Sequence, residues 1–231
     1  MMILRWMLVL LLLPQALRAQ VPLERMNLAN RLQAAEIMRR PDFTFQTNTP
    51  PARVRLATME KLFDHPRLAA AMWRECQFVP RLYAFALPAR GLIVDDASGL
   101  RGTLTLAYRE PGVRVYLIDG RVEKWRMGNP FPVGAKMVVI YKYWESPKGF
   151  QSHLQTWTSL DSALLGAVSR PFRKYIQRRQ EEFIAYIMGN MAQGGEFADR
   201  SYTEFLGPIQ REGDPLSIKQ FHEVFMSGKP K

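Results

Sequence analysis

Cysteine and histidine, on which many small catalytic and metal sites depend, are scarce in this sequence. Cys76 is the only cysteine in 231 residues, so an intramolecular disulfide is excluded and a cysteine-based metal site is not expected. The three histidines, His65, His153 and His222, lie far apart and form no zinc-type pair. A glycine-rich phosphate loop and a nucleophile elbow are also missing. We therefore expect no cofactor and no metal, and the sequence carries no catalytic signature.

A continuous apolar run of membrane-spanning length is missing as well. Arg5 precedes an apolar run from Trp6 to Leu13, whereas a transmembrane helix needs roughly 20 such residues. A short run behind a positive charge, followed by Ala19, is typical of a secretory signal peptide over residues 1–19. This pattern predicts a periplasmic or secreted protein, and an uncleaved N-terminal anchor is the alternative.

Negative charge is in deficit. The chain has 32 Lys and Arg against 21 Asp and Glu, a formal charge of +11 that becomes +9 when Arg5 and Arg18 leave with the signal peptide. In an exported protein this charge favours anionic lipid or an envelope polymer as a partner, although solubility alone explains it equally well. Nucleic acid is not an expected partner, because no aromatic stacking motif accompanies the basic residues.

One basic cluster follows helical spacing and is our candidate membrane-surface contact. It consists of Arg170, Arg173, Lys174 and Arg178. The alternative is an ordinary solvated helix face in which Arg178 pairs with Glu181 or Glu182, three and four residues further on.

The first part of the chain is predicted to contain a helix, a strand and two more short helices. Residues 20–41 carry a loose helical pattern and form an N-terminal extension. Phe43 and Phe45 then alternate with polar residues, as in a short strand. Helical patterns over 52–63 and 66–74 follow.

Alternating strands occupy residues 83–158, and a long helix follows them. The short connections predict an antiparallel meander. Asp119-Gly120 is a strong hairpin signal, because both central positions of a type I′ turn require positive φ. Apolar spacing predicts a helix over 162–191, kinked at Pro171 and ended by Gly194-Gly195.

These patterns divide the chain into four parts: the signal peptide (1–19), the extension (20–41), a main domain (42–193) and a C-terminal loop and helix (194–231). The last helix is predicted over 215–225, with Asp214 as its cap. The expected fold class is α+β, with a curved antiparallel meander packed on the long C-terminal helix and extra helices at both ends.

Aromatic residues on the predicted strands supply the candidate ligand site. Aromatic side chains on a sheet beneath a helix can line an apolar cavity, with phenol groups as its few polar contacts, or they can simply fill the core. Eight aromatic residues lie on predicted strands. The expected ligand-binding set contains seven of these, without Tyr116, and three further residues. That set is Tyr83, Phe85, Tyr108, Trp125, Tyr141, Tyr143 and Trp157, with His153, Phe172 and Ile176.

His153 is the one histidine on a predicted strand. If its side chain points toward the long helix, it can contact a ligand or act as a base near neutral pH. The alternative is a histidine of an edge strand with no such role.

The order of elements resembles that of the START-like, or SRPBCC, helix-grip superfamily. The stretch from Met59 to Trp73, which contains Phe63, Asp64 and Pro66, looks like the helix pair of that family, and the resemblance covers residues 42–191. It implies a sheet wrapped around a long helix and an apolar ligand such as a lipid, sterol or polyketide. Some members are cyclases or aromatases, but the family shares no catalytic residue that can be carried over.

The sequence therefore predicts an exported, non-catalytic protein that binds or carries a hydrophobic, lipid-like ligand between the sheet and the long helix. Two alternatives remain open. One is a cyclase-type enzyme that uses His153 or a cavity tyrosine. The other is an envelope scaffold with a filled core, which contacts anionic membrane through its basic helix face.

Overall fold

Seven strands and six α-helices make up the part of the chain that the structure describes. This computed structural model describes residues 23–87, 91–95, 100–122, 133–161 and 173–225. The helices are α1 (Leu28–Arg39, after a 3₁₀ turn at Leu23–Arg25), α2 (Leu56–Asp64), α3 (Pro66–Glu75), α4 (Arg173–Arg200), α5 (Tyr202–Arg211) and α6 (Pro215–Phe225). The strands are β1 (Phe43–Asn48), β2 (Tyr83–Leu87), β3 (Gly91–Asp95), β4 (Leu100–Glu110), β5 (Val113–Val122), β6 (Val133–Ser146) and β7 (Gly149–Leu160).

All seven strands form one antiparallel sheet in the order β1-β7-β6-β5-β4-β3-β2. β2 to β7 are a meander, and β1 pairs with β7, so that Phe43 lies opposite Thr158. The chain thus has an α+β fold with a long C-terminal helix, as the resemblance implied. None of the helices within the described ranges is long and apolar enough to cross a membrane.

The sheet has two faces, and helices cover both. Because side chains alternate along a strand, Tyr116 and Ile118 of β5 lie on one face and Val115 and Leu117 on the other. The first, which we call the helix face, packs with Val139 of β6 and with α2 to α6 in the larger core. The second, the outer face, is covered by α1, whose Ala34 and Ile37 are buried there.

The predicted hairpin at Asp119-Gly120 is wrong. β5 passes straight through both residues, which pair with Thr103 and Gly102 on one side and with Lys136 and Ala135 on the other. A Cβ at Gly102 would lie 2.8 Å from the Asp119 carbonyl oxygen, so this glycine serves close packing of the two strands. The predicted return strand falls mostly on residues 123–132, outside the described ranges.

The predicted end of the long helix at Gly194-Gly195 is also wrong, since α4 continues to Arg200. A Cβ on Gly195 would approach Val54 Cγ2 to 3.1 Å and Met59 Sδ to 3.2 Å. This glycine therefore allows α4 to pack closely on α2, where the sequence pattern had indicated a helix terminus. Pro171 and the expected kink lie outside the described residues.

The C-terminal part contains one helix more than expected. We predicted a loop after Glu196, but α5 lies there with Phe205 and Ile209 buried in the larger core. Pro208 inside α5 removes one helical hydrogen bond, and the packing of these two side chains compensates for that loss. The prediction of α6 is confirmed: it starts at Pro215, and Asp214 Oδ1 accepts a hydrogen bond from the Leu216 amide (3.2 Å).

Candidate functional site

Arg114 is the centre of a buried polar cluster on the helix face. Only 4% of its side chain is exposed. Its Nη1 donates to Asp64 Oδ1 (2.8 Å), its Nε to the Tyr143 hydroxyl (3.2 Å) and its Nη2 to the Glu60 carbonyl (3.2 Å). A buried guanidinium is tolerated when it is paired and hydrogen-bonded in this way. The three bonds fasten β5 and β6 to the last turn of α2.

The end of α2 supplies the other side of the cluster. The Tyr143 hydroxyl donates to Glu60 Oε1 (3.2 Å). The ring of Phe63 lies 5.2 Å from the rings of Tyr141 and Tyr143 and 5.3 Å from the Arg114 guanidinium carbon. Aromatic pairs and a cation over a ring both add to the stability of such a contact.

The tyrosines of this cluster are neutral hydrogen-bonding groups. Burial raises the pKa of Tyr116 to about 12, against the opposing effect of the charge and hydrogen bond of Arg114. Burial also raises the pKa values of Tyr141 and Tyr143. For Arg114, burial acts to lower the pKa, but its hydrogen bonds with Asp64 and Tyr143 raise it above the ordinary value. The phenols therefore stay protonated, and Arg114 stays charged, at any physiological pH.

An incompletely buried apolar region adjoins these tyrosines. Ile118 and Met137 from the sheet, and Ile184 and Met188 from α4, pack on the larger core but remain partly exposed. Ile184 and Met188 are four residues apart and so lie on one side of α4. At the β1–β7 side of the same core, by contrast, side chains such as Phe150 are fully buried. The sheet and α4 thus each contribute apolar side chains that this core does not bury completely.

Two concave regions lie elsewhere among the described residues. A crevice of about 20 Å³ between α3 and α4 includes Cys76 and Asn190, whose buried Nδ2 lacks a partner there. Its volume suits a single water molecule. A surface depression of about 410 Å³ lies beside Arg74, which pairs with Glu212 and stacks over the Tyr83 ring at 4.9 Å. Neither is lined by Ile118, Met137, Ile184 or Met188.

The structure divides the predicted ligand-binding residues between the two faces of the sheet. Tyr141 and Tyr143 lie on the helix face and are buried. Tyr108 and Trp157 pack in the smaller core beneath α1, on the outer face. The pairing register of a strand decides on which face of the sheet each side chain lies. The apolar pattern of the sequence did not determine that register.

The remaining members of the set do not join Tyr141 and Tyr143. Tyr83 lies against Arg74, and Phe85 is 53% exposed. Trp125 and Phe172 lie outside the described residues, as does the side chain of Ile176.

His153 also lies on the outer face. Its neighbours Ser152 and Leu154 are buried toward the helices, so the imidazole points away from them. Its Nδ1 lies 2.8 Å from Asn48 Oδ1 on β1. Burial, and then the charge of Lys142, lower the pKa of His153. His153 therefore does not point toward the long helix, as a role in ligand contact or proton transfer there would require.

The predicted basic cluster is described only in part. Lys174 and Arg178 are exposed on α4, and Arg178 Nε donates to Glu182 Oε1 (3.0 Å). Arg170 lies outside the described ranges, and so does the side chain of Arg173. The described ranges contain no group of three or more His, Cys, Asp or Glu residues that can hold a metal ion.

The sequence reasoning predicted Tyr143 as a site residue but missed Arg114 and Glu60. In the sequence, Val115 and Leu117 alternate with Arg114 and Tyr116, which by itself indicates a strand with one apolar face. A usable signal was present: Tyr116 and Ile118 share the register of Arg114. Large apolar side chains in both registers indicate a strand covered on both faces.

Comparisons with known proteins find similarity at the level of overall architecture. No protein-family model matches the chain, and no curated protein matches it either. Among solved structures, a conserved protein from Geobacillus kaustophilus is 12% identical over 65% of this chain and 94% of its own, with a TM-score of 0.40. A putative uncharacterized protein from Rhizobium leguminosarum is 13% identical over 67% and 94%, with a TM-score of 0.43.

The similar structures also include the di-domain ARO/CYC StfQ from the steffimycin biosynthetic pathway. It is 16% identical over 75% of this chain and 57% of its own, with a TM-score of 0.37. At these identities and TM-scores, the similarities assign neither a family nor a function to the chain.

Proposed function

We propose that this protein binds a hydrophobic, lipid-like small molecule between the helix face of the sheet and α4, and that it carries the ligand without changing it chemically. One observation supports this most directly: half-buried Ile118 and Met137 of the sheet and half-buried Ile184 and Met188 of α4 pack on the same core as the buried tyrosines. Apolar walls with a few convergent polar groups are typical of small-molecule sites.

The polar cluster indicates which end group the ligand carries. Arg114 already donates to three partners and its charge is balanced by Asp64. Tyr116 lies on the same face of β5 as Arg114 and keeps its own proton, because burial raises its pKa. A protonated phenol can donate a hydrogen bond to a neutral acceptor. We therefore propose that the ligand carries a carbonyl or hydroxyl oxygen at its polar end.

Native mass spectrometry after gentle purification, followed by titration with fluorescent sterol and fatty-acid probes, tests this function. Ile118→Trp fills the proposed space and is expected to reduce probe binding at least tenfold, by displacing the ligand. Ile93→Trp is the matched control: Ile93 is also half-buried, but it alternates with the buried Leu92 and so lies on the outer face. It is expected to leave binding unchanged.

Two results would contradict the proposal. One is a clean apo mass together with no uptake of either probe by the wild-type protein. The other is an equal effect of Ile118→Trp and Ile93→Trp, which would move the probe site away from the helix face.

We further propose that the protein acts after export. The support is the charged and apolar N-terminal pattern around Arg5. Fractionation of the producing cells, with N-terminal sequencing of the exported form, tests this directly. A mature chain that begins near residue 20 in the periplasm or medium is the expected result. An intact N-terminus in the membrane fraction would favour the anchor, and an intact chain in the cytoplasm would contradict export.

A further inference from the structure

Helix α1 has an apolar side toward the sheet and a second apolar side toward solvent. Ala34 and Ile37 are buried in the core of the outer face. Leu28 and Leu32 are each 61% exposed, among the most exposed large apolar side chains of the described residues. A helix that only covers a sheet needs no leucines on its outward side.

The outward residues of α1 form one stripe. Leu28, Leu32, Ala35 and Arg39 follow one another at intervals of four, three and four, so they share one side of the helix. All four are exposed, and Arg40, also exposed, follows directly. The stripe thus has leucine at one end and arginine at the other, and exposed leucines together with arginines are the residue types with which helices contact a membrane interface.

We propose that this stripe, which we call the α1 stripe, docks on the surface of an anionic lipid bilayer. Leu28 and Leu32 would enter the boundary between headgroups and acyl chains, and Arg39 and Arg40 would contact lipid phosphates. The stripe lies on the opposite side of the sheet from the proposed ligand site. Membrane docking would therefore not block ligand binding.

Charge and position favour lipid as the partner. Residues 23–40 contain four arginines and two glutamates. Arg25 is paired with Glu110 at 2.9 Å, whereas Arg39 and Arg40 extend from the end of α1. Juxtamembrane cations are attracted to anionic lipid surfaces. The apolar run of residues 6–13 precedes α1 by only about 15 residues and, in the export that we propose above, would bring this part of the chain to a membrane.

A second copy of the chain is a poorer fit. Stable protein interfaces bury roughly 1,200–2,000 Å² in total. Two leucines and one alanine on each of two 12-residue helices cover far less than that. If the two copies of α1 ran parallel, Arg39 and Arg40 of each chain would also lie together, and like charges repel.

Site-specific fluorescence on the full chain tests the proposal. In a Cys76→Ser background, Leu32→Cys is labelled with an environment-sensitive dye, and Leu216→Cys is the matched control on α6, since Leu216 is also an exposed leucine. The protein is mixed with vesicles of phosphatidylglycerol and phosphatidylcholine in equal amounts, or of phosphatidylcholine alone. We expect the label at 32 to shift to the blue on the anionic vesicles and to be quenched by brominated acyl chains. The label at 216 should do neither.

Vesicle sedimentation of unlabelled variants completes the test. Leu28→Ser and Leu32→Ser should each weaken binding to the anionic vesicles, by roughly tenfold for loss of one inserted leucine. Added salt should weaken it further. Leu216→Ser should have no effect.

Three results would overturn the proposal. Water-like emission at position 32 on vesicle-bound protein would mean that another segment, such as residues 1–22 or the cations of α4, holds the membrane. A blue shift without lipid would mean that the leucines are covered by a second copy or by the chain itself. Equal shifts at 32 and 216 would mean non-specific adsorption.

Discussion

The Arg114 guanidinium donates from Nη1 to Asp64 Oδ1 at 2.8 Å, which ties the middle of the sheet to the turn between α2 and α3. Asp64 also accepts from Arg109 at 2.9 Å. Arg114 is buried, whereas Asp64 is more than a third exposed. The carboxylate therefore brings negative charge to a guanidinium that would be costly to bury alone.

Arg114→Ala is expected to lower the free energy of unfolding by about 3 kcal/mol, through a cavity and unpaired partners at Tyr143 and Glu60. Arg114→Met fills most of the space and should lose less. Urea denaturation of both variants measures the difference. Equal losses of stability in Arg114→Ala and Arg114→Met would mean that the volume of the side chain contributes nothing. If Arg114→Met lost less stability than Arg109→Met, the central role of Arg114 would be contradicted.

Two adjacent glycines of α4 should respond differently to alanine. Alanine in a helix interior is favoured over glycine by about 0.5–1 kcal/mol. A Cβ at Gly194 meets only Cys76 Sγ at 3.6 Å and Phe78 at 3.8 Å, so Gly194→Ala should stabilise the protein. At Gly195 the Cβ lies 3.1 Å from Val54, so that Gly195→Ala should be less stable than Gly194→Ala by about 1 kcal/mol. Thermal unfolding of the pair checks this, and the reverse order would show that α4 does not pack on α2 as described.

Tyr116→Phe should weaken binding of a probe with a neutral polar end by about fivefold, which corresponds to one hydrogen bond of about 1 kcal/mol. Tyr108→Phe, the same change on the outer face, should leave binding unchanged. Because the pKa of Tyr116 is about 12, the phenol remains a donor, and binding should not change between pH 6 and about pH 10. Probe titration across this range measures both effects, and a loss of affinity near neutral pH would exclude Tyr116 as the donor.

The cap of α6 should make stability depend on pH in acid. The hydrogen bond from Ser217 Oγ to Asp214 Oδ2 (2.7 Å) is the main cause that lowers the pKa of Asp214. A carboxylate whose pKa is lower in the folded state stabilises the protein above its unfolded pKa, about 3.9, and this contribution is lost as the pH falls through the folded value.

Asp214→Ala should therefore cost about 1 kcal/mol at neutral pH, typical of a lost N-cap, and less as the pH falls below about 4. Ser217→Ala, which removes the main cause of the shift, should flatten the same pH dependence. Denaturation midpoints between neutral pH and pH 3 give the comparison. A constant difference between wild type and Asp214→Ala across that range would show that the cap does not depend on the charge of Asp214.

Local signals in the sequence determined the type and order of most elements. Alternation at Phe43 and Phe45, the helix pair around Asp64, and the cap at Asp214 all act over a few residues, and each corresponds to an element of the structure. Such signals are reliable because capping and alternation depend on near neighbours in the chain.

Tertiary packing decided the features on which the candidate site depends. Asp119-Gly120 has the composition of a turn but lies within a strand, because both neighbouring strands pair with it. Gly195 has the composition of a helix end but lies within α4, because α2 packs closely there. The sequence alone placed aromatic residues on strands, but only the register of the sheet put Tyr141 and Tyr143 with Arg114 and placed His153 on the other side. Moving the register by one residue exchanges the two faces, so the composition of the site is a property of long-range strand pairing that no local pattern contains.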